Sequence, residues 1–428
     1  MHLSSTLPRV AVVVRRIGSY RGGWSRVAYS RSGVAVRKQP SPVVLTGTRT
    51  VVARWPVTLT LSTQGWPPGA YLAEITTPVG LRTDIAFLVR SPSAIGRVVI
   101  LAATQTWEAY NDWGGYSLYH GHHGLRDRAL AVSYDRPDPA PGDGRWAYDL
   151  PPVVASAEAL PIKVAYFSDT DLNDNPHALD GARAVVVAAH AEYLTTTERA
   201  RLRQARDAGT NLLFGSANAV YWRIRLHAGV FGSGPDRLVV GYKNALMDAQ
   251  AAADPAGATA KFRDPPDADP EERLVGSRYE CFPVNAGFRV ADSSWWGFAG
   301  TGVAVGAVLP GLVGVEADRA TQTADTPRPL QVLSFSPFTC RGTPDHSTAT
   351  YYTAASGAGV VDVATQRWEC ALAPTCTDGN LPDVTRRFVR RVMANVLTAF
   401  ATGPAGLPHP ARDSLDRYEL PATGSPAS

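Results

Sequence analysis

Val98-Val-Ile-Leu-Ala-Ala103, followed shortly by Thr106-Trp-Glu-Ala-Tyr-Asn-Asp-Trp-Gly-Gly-Tyr-Ser-Leu-Tyr119, decides how this chain is read. The first run is apolar throughout and of strand length, the pattern of a strand buried on both faces of a parallel sheet. The second breaks that pattern, gathering aromatic rings around Asn111, Asp112 and Gly114-Gly115, which are turn formers that let backbone approach a ligand closely. The pair predicts a site loop at the carboxyl end of a strand, where open α/β sheets bind ligands.

Outward from there, the apolar runs 162–167, 184–189 and 212–214 alternate with polar or helical stretches. That alternation predicts parallel strands joined by crossover helices. The clearest helix covers 195–208, because Thr195 and Glu198 form a capping box and Gly209 supplies the stop. His190 and Glu192 then fall at a strand end beside a helix N-terminus. Phe388, Val392, Val396 and Phe400, at four-residue spacing, mark another helix that ends before Gly403-Pro404. Residues 251–272, rich in Pro and Asp, read as an exposed insertion. Within the tail, Leu420-Pro-Ala-Thr-Gly424 matches a sortase recognition pentapeptide but lacks the hydrophobic span and basic end that sorting needs. It reads as a chance match.

Toward the N-terminus the runs 43–45, 50–54, 57–61, 70–75 and 86–89 are short, alternating and separated by Gly and Pro, predicting a small β-sandwich-like unit. Ile17-Gly-Ser-Tyr-Arg-Gly-Gly-Trp24 opens abruptly, as though earlier strands were cut away. The expected organisation is a β-rich unit over 1–92, an α/β domain over 93–403 and a Pro-rich tail over 404–428.

With 428 residues, 45% hydrophobic and 19% charged, the chain can bury a large core. Lys and Arg total 42 against 38 Asp and Glu, a net +4 without a basic stripe, which argues against nucleic-acid partners. No apolar stretch approaches the roughly 18 residues of a membrane span. Val10-Ala-Val-Val-Val14 is too short for a signal-peptide core, so the chain as written carries no export signal and would stay cytoplasmic. A start codon placed too late would explain both the missing signal and the abrupt opening. Cys281, Cys340, Cys370 and Cys376 form no C-x-x-C pair and suit two disulfides in an oxidising compartment, hence secretion. Pairing 281 with 340 and 370 with 376 is favoured among three connectivities, with four unpaired thiols as the alternative.

Residues 106–115, with His190-Ala-Glu-Tyr193 and Asn218-Ala-Val-Tyr-Trp-Arg223, resemble the C-terminal region of the N,N-dimethylformamidase large (beta) subunit family. The resemblance extends from about Tyr20 to Phe400. It implies a flavodoxin-like, class I glutamine amidotransferase-like α/β domain preceded by β structure, and one ferric ion (Fe3+) held by two tyrosines and a glutamate. Carried over by motif, the glutamate is Glu192, the second tyrosine is Tyr110, and Gly69-Ala-Tyr71 fits the first. His190 becomes a base or proton shuttle, Asn218 a donor to the substrate oxygen, and Glu316 an acidic group near the site. The small partner subunit has no counterpart in this sequence, and self-association is left open.

The donor set has its own logic. A ferric ion is a hard acid that favours anionic oxygen, and two phenolates with one carboxylate match its charge. Binding pulls a tyrosine pKa down from about 10, because metal and proton compete. The implied reaction is hydrolysis of a linear amide C–N bond by metal-activated water, on a small amide that Trp107, Trp113, Tyr116 and Trp222 would enclose. Covalent catalysis is disfavoured: the turn after 184–189 carries His190 rather than cysteine, and Gly215-Ser-Ala-Asn218 lacks the second glycine of a serine elbow. Each residue also has a plainer reading, Tyr71 in a strand core, Tyr110 as a packed aromatic and Glu192 as a helix cap. His120, His122 and His123 offer a rival metal cluster, but without a carboxylate. The alternatives are a secreted, non-catalytic carbohydrate- or cell-wall-binding protein keeping the same fold, and a structural cell-surface protein.

Overall fold

The computed structural model describes residues 1–137, 146–188, 190–373 and 379–419. The architecture is mixed α/β around a seven-stranded sheet. Five parallel strands, Val164–Ser168, Val98–Ala102, Ala184–Ala188, Asn211–Phe214 and Gly359–Asp362, lie side by side in that order. Thr350–Thr353 and Leu330–Val332 extend the sheet antiparallel beyond the last of them.

Side chains alternate between the two faces, and both faces are covered. Val98, Ile100, Val186 and Leu213 pack with Val153, Val154 and Ala157 of the helix Trp146–Glu158 and with Val392 and Val396 of the helix Asp383–Thr402. Val99, Leu101, Val185 and Leu212 pack with Leu172 and with Leu202 and Ala205 of the helix Thr196–Asp207. The expected helix at 195–208 is present, with Thr195 and Glu198 closing the capping box. The helix Trp146–Glu158 carries Pro151 and Pro152, which hide it from propensity.

The chain enters this sheet through Val98–Ala102, moves to one side with Val164–Ser168, then crosses to the other with Ala184–Ala188. The reversal leaves a crevice beyond the carboxyl ends of Val98–Ala102 and Ala184–Ala188, the place where open sheets bind ligands. A second, four-stranded sheet, Tyr193–Thr195, Trp222–His227, Leu238–Val240 and Ala131–Ser133, adjoins that crevice.

The N-terminal part forms a single four-stranded antiparallel sheet, ordered Gly23–Ala35, Arg9–Tyr20, Gly69–Thr76 and Arg82–Val89, with a separate two-stranded ribbon Val43–Leu45 and Thr50–Val52. Two sheets packed as a sandwich are not found among the described residues, and Val57 to Leu61 is not a strand. Arg9–Tyr20 lies inside the sheet, so residues 17–20 end a long strand rather than open abruptly. One face of this sheet contributes Ile17 and Ala70 to the same core as the large sheet. Arg16 bridges to Glu158 at 2.6 Å.

Two further expectations are corrected, those for 251–272 and for 106–110. The segment 251–272 is not simply exposed, because Phe262 is buried beneath the guanidinium groups of Arg199 and Arg223. Tail residues 404–419 dock onto the body, with Leu415 buried and Ser414 N donating to the Leu330 carbonyl. Residues 106–110 are the end of a helix, Thr104–Tyr110, rather than loop. Cys281 pairs with Cys340; Cys370 is also in a disulfide, and Cys376, the partner expected for it, lies outside the described residues. The pentapeptide 420–424 also lies outside them. No helix among the described residues is long and apolar enough to cross a membrane.

Candidate functional site

The strand Ala184–Ala188 ends in a turn that holds His190 at φ 49°, a left-handed conformation that non-glycine residues avoid. Asn218, Val220 and Lys243 share it at φ 58°, 58° and 59°. Such backbone strain persists where surrounding structure enforces it, and it collects at functional sites. Here Thr106 Oγ1 accepts from the backbone N–H groups of both Glu192 and Tyr193, fastening this turn to the helix Thr104–Tyr110.

Glu192 is the focus. Its side chain is 2% exposed, and three donors converge on its carboxylate. Tyr110 Oη donates to Oε2 at 2.9 Å, Tyr119 Oη to Oε1 at 2.5 Å, and Asn218 Nδ2 to Oε1 at 3.1 Å. The two phenol rings stack at 4.5 Å between centroids. His190 Nδ1 lies 3.1 Å from the Ala217 carbonyl, which can only accept, so Nδ1 carries a proton. Its Nε2 faces Glu192 at 3.6 Å and Glu316 at 3.4 Å.

Behind Tyr119 sits Lys243. Its Nζ lies 3.1 Å from the Tyr119 ring centroid, 4.9 Å from that of Trp222 and 5.2 Å from that of Tyr193. Burial holds the Lys243 ammonium well below its usual range, against the raising influence of Glu192. Burial and then the Glu192 charge push the Tyr119 phenol well above 10. Burial also opposes ionisation of Glu192, but hydrogen bonding and charge from His190, with Lys243 and Tyr119 behind them, hold it down at about 2. Without an added cation the Tyr119 phenol therefore keeps its proton and the carboxylate keeps its charge.

Two phenol oxygens on one buried carboxylate are donors of the chemical kind that a hard cation accepts. A cation would take the place of the two phenol protons. Among the described residues no three His, Cys, Asp or Glu side chains form a metal-holding group, so a metal here would depend on the phenols.

Of the residues singled out from sequence, Tyr110, His190, Glu192, Asn218 and Glu316 come together. Tyr71 does not join them: its hydroxyl donates to the Pro67 carbonyl at 2.6 Å, and its ring packs against those of Trp66 and Phe87. Asn218 has its amide on Glu192 and its backbone N–H on Asp318. Trp113 packs edge-on against Trp55, Tyr116 against His122, and His123 pairs with Asp127 at the surface. Tyr119 and Lys243 escaped sequence reasoning. Tyr119 closes the same aromatic run as Tyr110 and was legible as a candidate, whereas the lone Lys243 carries no local signal.

Asp169 supports the site from below, accepting from Thr104 Oγ1 at 2.5 Å and Gln105 N at 2.8 Å at the start of the helix that bears Tyr110. Burial pushes its carboxyl from 3.8 up to about 7. A carboxyl raised by folding stabilises fully below its unfolded pKa, and the contribution is lost as pH rises through the folded one. Stability should therefore fall between about pH 4 and pH 7 through Asp169, and Asp169→Asn should flatten that fall. Tm measured across the window checks this; parallel profiles for both proteins would contradict it.

No curated protein matches the chain. A family model does, over residues 11–379, and the chain belongs to the N,N-dimethylformamidase beta subunit-like, C-terminal family.

Proposed function

We propose that this protein hydrolyses a linear amide C–N bond at Glu192, with ferric iron held by Glu192, Tyr110 and Tyr119. The observation that carries the proposal is the convergence of two phenol hydroxyls on one buried carboxylate. The family is hydrolytic, which supports the reaction class. The order of the five parallel strands supports a flavodoxin-like reading of the fold. Tyr119 stands in the set in place of Tyr71, because its oxygen reaches Glu192 and that of Tyr71 is turned to Pro67.

A bound ferric ion would supply Lewis acidity toward an amide carbonyl and toward water. The remaining work falls to side chains. Water adds to the carbonyl carbon and gives a proton to His190 Nε2, and the flanking Glu192 and Glu316 carboxylates stabilise the imidazolium. The C–N bond breaks as that proton passes to the departing nitrogen, leaving a carboxylic acid and an amine. Asn218 keeps Glu192 oriented through its amide hydrogen bond. With His190 1% exposed, bulk water has little access to the proton path.

His190→Gln tests the assignment. Iron content should stay unchanged while kcat on an N-substituted formamide falls about 10²- to 10⁴-fold. Unchanged kcat would remove His190 from the reaction, and an iron-loaded protein inactive on formamides and other linear amides would remove the hydrolase reading.

A further inference from the structure

A cavity of about 570 Å³ lies between the N-terminal sheet and the helix Thr104–Tyr110. Its volume is in the range of small-molecule sites, roughly 300–1,000 Å³. Tyr71 and Phe87 form the sheet wall, and Trp107 and Tyr110 form the helix wall. Tyr110 thus borders the cavity while its hydroxyl is on Glu192. Asp174 and Asp236 also line it.

Most charges around the cavity are already matched. Arg90 pairs with Asp171 at 2.8 Å, Arg237 with Asp135 at 2.7 Å, and Glu108 with Arg136 at 2.5 Å. Asp174 and Asp236 remain on the cavity lining, and among the described residues neither makes an ion pair. Asp236 opposes ionisation of Asp174 more than Asn173 and Arg90 favour it, and neighbouring carboxylates are relieved by a proton or a cation. Aromatic faces likewise attract an organic cation.

We propose that this cavity is a binding chamber for an organic amine, a molecule with an aromatic or alkyl body and one cationic amino group. The amino group lies against Asp174 and Asp236, and the body lies between the Tyr71 and Phe87 wall and the Trp107 and Tyr110 wall. On the hydrolase reading, which this part alone rests on, the chamber receives the nitrogen side of the amide and the released amine is its ligand. The substrate class is then an amide with a nitrogen substituent far bulkier than two methyl groups.

Calorimetric titration of the metal-free chain separates the two claims. Phenethylamine should bind once per chain with Kd below about 1 mM. The similarly sized acid 3-phenylpropanoate should bind at least about tenfold more weakly, because the unmatched charge is negative. Asp174→Asn with Asp236→Asn, at an exposed and a half-buried position where folding is preserved, should weaken the amine at least about tenfold and leave the circular dichroism spectrum unchanged. Absence of amine binding, equal binding of amine and acid, or indifference to the double substitution would overturn the chamber. Iron uptake is read on the same preparation. Amine binding without iron keeps the chamber and removes the hydrolase, whereas iron without amine binding removes the chamber alone.

Discussion

Glu192→Gln should leave a folded protein that retains no iron and turns over amide at least about 10³-fold more slowly. The substitution changes charge and almost nothing else. A glutamine amide occupies the same volume and can still engage the Tyr110 and Tyr119 hydroxyls and Asn218, so the hydrogen-bonded network around position 192 survives. What disappears is a buried carboxylate that burial does not neutralise, held ionised down to about 2 by His190, Lys243 and Tyr119. Hard cations need anionic oxygen, and neutral amides substitute poorly for it. Metal content and amide turnover on one preparation check the pair of effects. Retained iron with full activity would show that Glu192 serves the fold rather than the reaction.

The largest expected loss of stability lies a few residues away. Arg136→Met should destabilise the protein by about 3–5 kcal/mol, because it leaves a buried carboxylate without its partner. The Arg136 side chain is 0% exposed; its Nε donates to Glu108 Oε1 at 2.5 Å, its Nη1 to the Tyr116 carbonyl at 2.7 Å and its Nη2 to the Glu108 carbonyl at 2.9 Å. These bonds clamp the loop between Tyr110 and Tyr119 onto the helix that precedes it. Adding Glu108→Gln to Arg136→Met should recover part of the loss, since the stranded charge is then gone. Urea unfolding of the single and double variants measures both. A cost below about 1 kcal/mol for Arg136→Met would mean that the pair contributes as little as a surface bridge does.

Much of this arrangement could be read before any coordinates. The four apolar runs after residue 97 became parallel strands because uninterrupted Val, Ile and Leu suit positions covered on both faces. Thr195, Glu198 and Gly209 placed a helix to within about two residues, since capping is local chemistry. His190 and Glu192 followed, because they sit between those two signals. The N-terminal sheet was harder. Whether short alternating strands make one sheet or two depends on pairing across the chain, which periodicity does not encode, and Arg9–Tyr20 begins within a run resembling a weak signal peptide.

The site was legible where its residues lie on the strand ends and lost where geometry is long-range. Tyr71 satisfied a spacing, but the sheet turns its hydroxyl to the Pro67 carbonyl four residues back. Tyr119 was in plain view in the aromatic run, and only the fold of the loop brings it to Glu192. Lys243 reaches Tyr119 from the turn after the strand Leu238–Val240 through a left-handed backbone that its sequence does not announce.

The ferric site proposed at Tyr110, Tyr119 and Glu192 is tested most directly by the visible absorption spectrum and iron content of the purified protein beside Tyr110→Phe, Tyr119→Phe and Tyr71→Phe. The account predicts about one iron per chain and a phenolate-to-iron charge-transfer band that weakens in Tyr110→Phe and in Tyr119→Phe and persists in Tyr71→Phe. A protein that takes up no iron on reconstitution, or a band lost in Tyr71→Phe and intact in Tyr119→Phe, would contradict it.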